Sequence, residues 1–421
     1  MGPAVPPRTV PPSDSALAGP RHWLRAAGGA ARSLAADAGD RAGRAPAREV
    51  AALRAAGLLA LPYEADGDRV DWATACAVVR EIAAADGPVG QLLGRHYFLS
   101  WSAGHLAEPG AARRTAERSA AEQWCWGGGY APQEQPLMLA RTSRGWVLDG
   151  FQSCTTGVLV ADRLAVRAVR EDTGEPFAVV VGPGRRGVTV ADDGDLFGRR
   201  PAAGGSVGFE DVPVGPDDVF GSLSPHGDFL SPRAALISPV GRLLAVQVLL
   251  GRTRWMLAEA EDRSGTAPIC GTDPIGATDP IGGTDPIGGT DRAGGAEHTG
   301  ETGDSAGSDD PGGSDRSAHA LADQAVDAVR TALDLGDGIT RDAYERTSAV
   351  VATAEAAAAR TAEEAATRAL GTAGARAAAT RLGLDRNWRD LHTSYEPFPS
   401  RTRGVGGPLA SGGRLSFALP A

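Results

Sequence analysis

Arg381-Leu-Gly-Leu-Asp-Arg-Asn-Trp388-Arg-Asp390, then His392-Thr-Ser-Tyr395-Glu396-Pro397, then Arg401-Thr-Arg403-Gly-Val-Gly406: this closing stretch carries the most readable chemistry of the chain. It follows alanine-rich, helix-patterned sequence and gathers Arg, Trp, His, Tyr and Glu at a density that no apolar core requires. Binding and catalytic groups concentrate in such segments. His392, Tyr395 and Glu396 are its candidate catalytic groups.

Working outward, composition sets the limits. A chain of 421 residues with 42% hydrophobic content can bury a substantial core. All 42 basic residues are Arg, and with abundant Ala and Gly this points to a GC-rich genome rather than to a charge-specific role. The formal charge of −10 is mostly local, because residues 263–317 hold ten acidic against three basic residues. No basic stripe points to nucleic acid. Cys76, Cys125, Cys154 and Cys270 form no Cys-x-x-Cys pair, which argues against zinc and against a disulfide framework. The N-terminus lacks the regions of a signal peptide, and the apolar stretch Ala234 to Leu250, broken by Pro239 and Arg242, reads as too short to cross a bilayer. The expectation is a cytoplasmic protein without membrane partners.

Residues 1–21 are proline-rich and read as disordered. Helical periodicity then dominates residues 22–123, with Asp71 placed to cap the helix carrying Ala75, Val78, Val79 and Ile82. The texture changes over 124–225, where short apolar runs such as Phe177-Ala-Val-Val-Val alternate with Gly-rich turns. That pattern predicts antiparallel strands in a sandwich or small barrel. Helix returns over 226–421, interrupted by a low-complexity segment at 263–317 in which Thr-Asp-Pro-Ile-Gly occurs three times. Pro, Gly and acidic residues without a core pattern cannot offset ordering entropy, so this reads as a disordered insert. The helix expected from Arg341 to Leu370 presents alanines at 349, 352, 356 and 359, small enough for close packing within or between subunits.

The closing stretch resembles the C-terminal signature of the acyl-CoA dehydrogenase superfamily, most closely that of its flavin-dependent monooxygenase branch. There a Gly-Leu-Asp-Arg-x-Trp-Arg-Asn sequence precedes a His-Asp-Pro or His-Asn-Pro element, and Lys-x-Arg-x-x-Gly follows. Two residues fewer separate Trp388 from Tyr395 here, so the family His falls on Tyr395 and its neighbour on Glu396. Three more segments resemble the family in the correct order: the helix from Pro46, Leu148-Asp-Gly-x-Gln-Ser-x-Thr155-Thr156-Gly157, and Gly205-Ser-Val-x-Phe-Glu-Asp-Val-Pro-Val. The resemblance implies an α+β multidomain fold with an N-terminal helical domain, a central antiparallel β domain and a C-terminal four-helix bundle, assembled as a homotetramer.

It also implies chemistry. Trp126, Ser153, Thr155, Thr156 and Gly157 would border a flavin, FMN or FAD, although an ordinary hairpin turn uses the same residue types. Gly127 to Gly129 stand where relatives often carry Asn, and Gln152 where they often carry Lys. His96, on an apolar helix, reads either as a satisfied structural residue or as the counterpart of a family His that faces the flavin pocket. A monooxygenase would take reduced FMN from a partner flavin reductase and oxygenate a small sulfur-containing or aromatic substrate, with Tyr395 as hydrogen-bond donor in a dry pocket. An FAD-dependent acyl-CoA dehydrogenase would instead use Glu396 as base. A degenerate, non-catalytic family member is the third reading. The insert replaces the loop from which the family draws an Arg for the flavin phosphate, leaving Arg252, Arg254 or Arg263 as substitutes.

Overall fold

The computed structural model describes residues 19–37, 45–63, 71–131, 135–143, 145–192, 202–223, 232–264 and 311–373. Five helices open it: α1 (Pro20–Asp37), α2 (Ala47–Ala55), α3 (Trp72–Ala85), α4 (Gly87–Leu106) and α5 (Pro109–Glu122). Their ends follow from local chemistry. The Asp71 carboxylate accepts from the Ala73 N–H at 3.2 Å and starts α3, and Asp86 both ends α3 and caps α4 by accepting from the Val89 N–H at 2.9 Å. Between α2 and α3 the chain turns at Gly57 (φ +74°) and continues as a 3-10 helix, Leu58–Tyr63.

Eight strands follow: β1 (Trp126–Gly129), β2 (Leu137–Thr142), β3 (Gly145–Thr155), β4 (Arg163–Arg170), β5 (Pro176–Val181), β6 (Val188–Ala191), β7 (Gly205–Val214) and β8 (Val219–Ser222). They form one sheet in the order β6-β7-β3-β2-β4-β5-β8, with β1 also on β4. The expected all-antiparallel arrangement is corrected here, because β1 and β2 both pair parallel with β4. They lie end to end along one edge of it: β1 pairs with residues 163–166 and β2 with 168–170. Alternation of apolar residues announces a strand but not the direction of its neighbour.

The chain ends, within the described residues, in α6 (Ile237–Ser264), α7 (Pro311–Asp334) and α8 (Arg341–Ala373). The segment read as an insert over 263–317 is therefore helical at both margins, in α6 to Ser264 and in α7 from Pro311. Pro suits the first turn of a helix, where its missing N–H costs nothing. The fourth helix of the expected bundle falls outside the described residues. The apolar stretch read as too short for a membrane is part of a 27-residue helical run, Pro232–Ala258, long and apolar enough to cross one; 78% of its most apolar window is buried in the fold, as in a core helix.

Both helical blocks share one core. Val78, Val79 and Ile82 of α3, Leu93 and Leu99 of α4, Leu243 and Leu250 of α6 and Val351 of α8 are all fully buried in it. Each such side chain contributes about 1.5–3 kcal/mol of transfer free energy. Gly251 lets α6 lie against α3: a Cβ there would come 2.5 Å from the Arg80 carbonyl oxygen. Arg242 and Glu355 form a buried ion pair between α6 and α8, with Nε donating to Oε2 at 2.7 Å.

Candidate functional site

The segments singled out from sequence meet where α4 crosses β1. His96 is wholly buried, and both ring nitrogens are engaged: Nε2–H donates to the Leu59 carbonyl at 2.9 Å, and Nδ1 accepts from the Trp126 N–H at 3.2 Å. That fixes the neutral Nε2–H tautomer. Burial is the main cause that lowers its pKa to about 4. The next residue, Tyr97, donates to the Leu58 carbonyl at 2.9 Å. Two successive side chains of α4 thus hold two successive carbonyls of the 3-10 helix, and His96 passes the hold on to β1. As placed, His96 has no ring nitrogen left to offer a substrate.

Trp126 is also wholly buried. Its indole N–H donates to Ser119 Oγ on α5 at 3.3 Å, so the ring anchors β1 and does not face outward. The following glycines lie against the turn after β3. A Cβ on Gly127 would sit 2.8 Å from the Gly157 carbonyl, and one on Gly128, at φ +111°, 2.1 Å from the Ala165 oxygen. The Gly128 N–H donates to the Thr156 carbonyl at 2.8 Å and locks the two segments together. Glycine is required here by contact distance, which the sequence showed only as a departure from Asn.

Around that lock, Thr155 and Thr156 are buried and Ser153 is exposed. Thr155 Oγ1 donates to the Ser153 carbonyl at 3.2 Å, while the Thr156 hydroxyl makes no hydrogen bond among the described residues. Between Gln152 and Thr155 the β3–β7 register slips by one residue, a bulge that re-aims the side chains before the turn. Gln152 points into the sheet interior, 4% exposed, with no partner for its Oε1. Arg252 is buried against Gly87, and Arg254 pairs with Glu81 at 3.1 Å on the surface. Arg263's side chain, His392, Tyr395 and Glu396 lie outside the described residues.

Sequence reasoning missed Tyr130 and Ser102. The Tyr130 hydroxyl lies 3.2 Å from Ser102 Oγ, which in turn donates to the Leu99 carbonyl at 2.9 Å, so the tyrosine O–H is the donor of the pair. Burial pushes Tyr130 up to about 12. The available signal was the pair of serines, Ser100 and Ser102, in an otherwise apolar helix: a buried hydroxyl needs a partner.

No family model matches the chain. Its sequence is 30% identical over 386 residues to dibenzothiophene monooxygenase of Rhodococcus erythropolis, with 87% of each chain covered. Its structure aligns with FMN-bound TdsC from Paenibacillus sp. A11-2 at a TM-score of 0.71 and 25% identity, covering 88% of this chain and 92% of that one. Butyryl-CoA dehydrogenase from Megasphaera elsdenii aligns at 0.63 and 16% identity, covering 91% and 94%, a likeness of fold. That likeness sets the fold class as the acyl-CoA dehydrogenase type. Within it, the chain belongs to the dibenzothiophene monooxygenase family of flavin-dependent monooxygenases.

Proposed function

We propose that the protein uses reduced FMN, delivered by a separate flavin reductase, to transfer one oxygen atom of dioxygen to a small sulfur-containing or aromatic substrate. The observation that carries this reading is the 30% identity to dibenzothiophene monooxygenase over 87% of both chains. Likeness to TdsC, whose structure holds FMN, supports the choice of cofactor. Likeness to butyryl-CoA dehydrogenase is one of fold, at 16% identity, and lends no weight to Glu396 as a dehydrogenase base.

The residues present fit a flavin. The Thr156 hydroxyl, in the turn held against β1, makes no hydrogen bond among the described residues and is available to a flavin ring edge or phosphate. Bound reduced flavin would supply the two electrons that activate dioxygen, with the second oxygen atom leaving as water. The chain's own part is to bind, orient and exclude water. Thr155, Thr156 and Gly157 would border the ring edge, with the buried Leu92 packed behind Gly157. Tyr395 serves as hydrogen-bond donor to the reacting oxygen, flanked in sequence by His392 and Glu396.

The assembly is proposed as a homotetramer. Ala349 and Ala356 are exposed on α8, with Ala352 and Ala359 half-buried beside them, small enough for a neighbouring helix to approach closely.

Purified protein supplied with FMN, NADH and a flavin reductase should consume oxygen faster when dibenzothiophene or indole is added, and an oxygenated product should appear by mass spectrometry. Failure to bind reduced FMN at any concentration overturns the reading.

A further inference from the structure

Away from the contact of Gly127 with Gly157, a cleft of about 470 Å³ opens between α5 and the sheet, walled by Arg114, Arg118, Trp124, Arg163, Arg185 and Phe220. Four guanidinium groups from α5, the start of β4 and the β5–β6 turn converge on it. Two of them are matched: Arg114 holds both oxygens of Asp217 at 2.9 Å, and Arg185 meets Asp218 at 2.6 Å.

The other two share one ring. The Arg163 guanidinium lies 3.4 Å from the Trp124 ring centre and Arg118 lies 4.9 Å from the same ring. Arg118 has an exposed partner in Glu122, whereas Arg163 donates only to the Asp162 carbonyl at 2.7 Å. Among the described residues no carboxylate comes within ion-pair reach of Arg163. Burial first, and then the charge of Arg118, lower its basicity, and the more distant carboxylates of Glu122, Asp162 and Asp218 only partly offset them. The Arg163 guanidinium lies over the Trp124 ring at cation–π distance and lines the cleft. The wall opposite is apolar, made by Val180 and Phe220.

We propose that this cleft binds a small phosphate monoester, with Arg118 and Arg163 taking the phosphate oxygens and Val180 and Phe220 receiving the apolar remainder. A dianion bound by both offsets the repulsion between them, and arginine forks favour phosphate oxygens. The proposal stands independently of the flavin reading, because none of its residues belongs to the strip at Gly127 to Gly157.

Isothermal titration calorimetry of the full chain at constant ionic strength, with inorganic phosphate and with phenyl phosphate, tests it. Phenyl phosphate should bind more tightly than phosphate, and R163Q should weaken both by about tenfold or more. R118Q, at an exposed helix position, should weaken both as well and serves as the second variant if R163Q does not fold. FMN and riboflavin in parallel identify the carrier of the phosphate: loss of FMN but not riboflavin affinity in R163Q makes it the flavin phosphate, and unchanged FMN affinity makes it another ester. No heat with either probe, or equal binding by wild type and both variants, overturns the proposal.

Discussion

Two cores lie on either side of β4, and they differ in kind. The sheet's own core is aliphatic, built from Leu137, Leu139, Leu148, Val166, Val179 and Val207, with Gln152 as its unpaired polar intruder. The core shared with the helices admits His96, Ser100, Ser102 and Ser119 at full or nearly full burial, and each makes specific bonds. A Leu–Val core tolerates small shifts, since dispersion contacts have no preferred direction. Hydrogen-bonded groups do not, and two of them, His96 and Ser119, hold β1 at Trp126, beside the turn that a flavin would meet. Buried polarity that is satisfied therefore marks the part of this fold held to the closest tolerance.

The strongest test acts on the lock itself. Gly128→Ala places a Cβ 2.1 Å from the Ala165 oxygen at φ +111°, and should cost more than about 3 kcal/mol in urea denaturation. Gly174→Ala, at φ +70° with open space around it, should cost about 1 kcal/mol. Equal losses would mean that the β1 contact is looser than its geometry shows.

His96 sharpens the comparison through pH. Its folded pKa, lowered from 6.5 to about 4, lies below the unfolded value, so the unfolded chain takes up the proton first. Its contribution is complete above pH 6.5, falls as pH drops towards 4, and levels off below that, a span on the order of 3 kcal/mol. His96→Gln should flatten that part of the stability–pH curve and weaken flavin binding. A wild-type curve without slope between pH 6.5 and 4 would show that the ring is not held neutral.

The smallest expected effect comes from the other core. Gln152→Leu removes an amide with an unpaired oxygen from aliphatic surroundings, so stability should stay level or rise by about 1 kcal/mol. A loss above 2 kcal/mol by thermal melting would reveal a partner for that amide and make the two cores alike.

Much of this arrangement was legible in the sequence. Asp71, Asp86 and the periodic apolar positions gave the helices because capping and burial are local or nearly so. Thr155-Thr156-Gly157 marked its turn because few residue types adopt φ near +79°, as Gly157 does. The parallel pairing of β1 and β2 on β4 was not legible, since strand direction is decided by which segments meet after the chain has travelled through other elements. His96 shows the same limit: its identity was visible, but its two partners lie 37 and 30 residues away, and only their placement turns it from a candidate acid–base group into a clamp. Arg163 and Arg118, ordinary in sequence, become a pair only across the cleft.

The end-to-end seating of β1 and β2 on one edge of β4, with β5 on the other, leaves three strands dependent on eight residues. In evolutionary terms β4 is a crowded address. Its inward residues serve the sheet core, the Ala165 backbone carbonyl lies against Gly128, and Arg163 reaches the α5 cleft. Edge strand β6, seated on β7 alone among the described strands, carries none of these obligations, so sequence drift has more room there than in the strand that joins the parts.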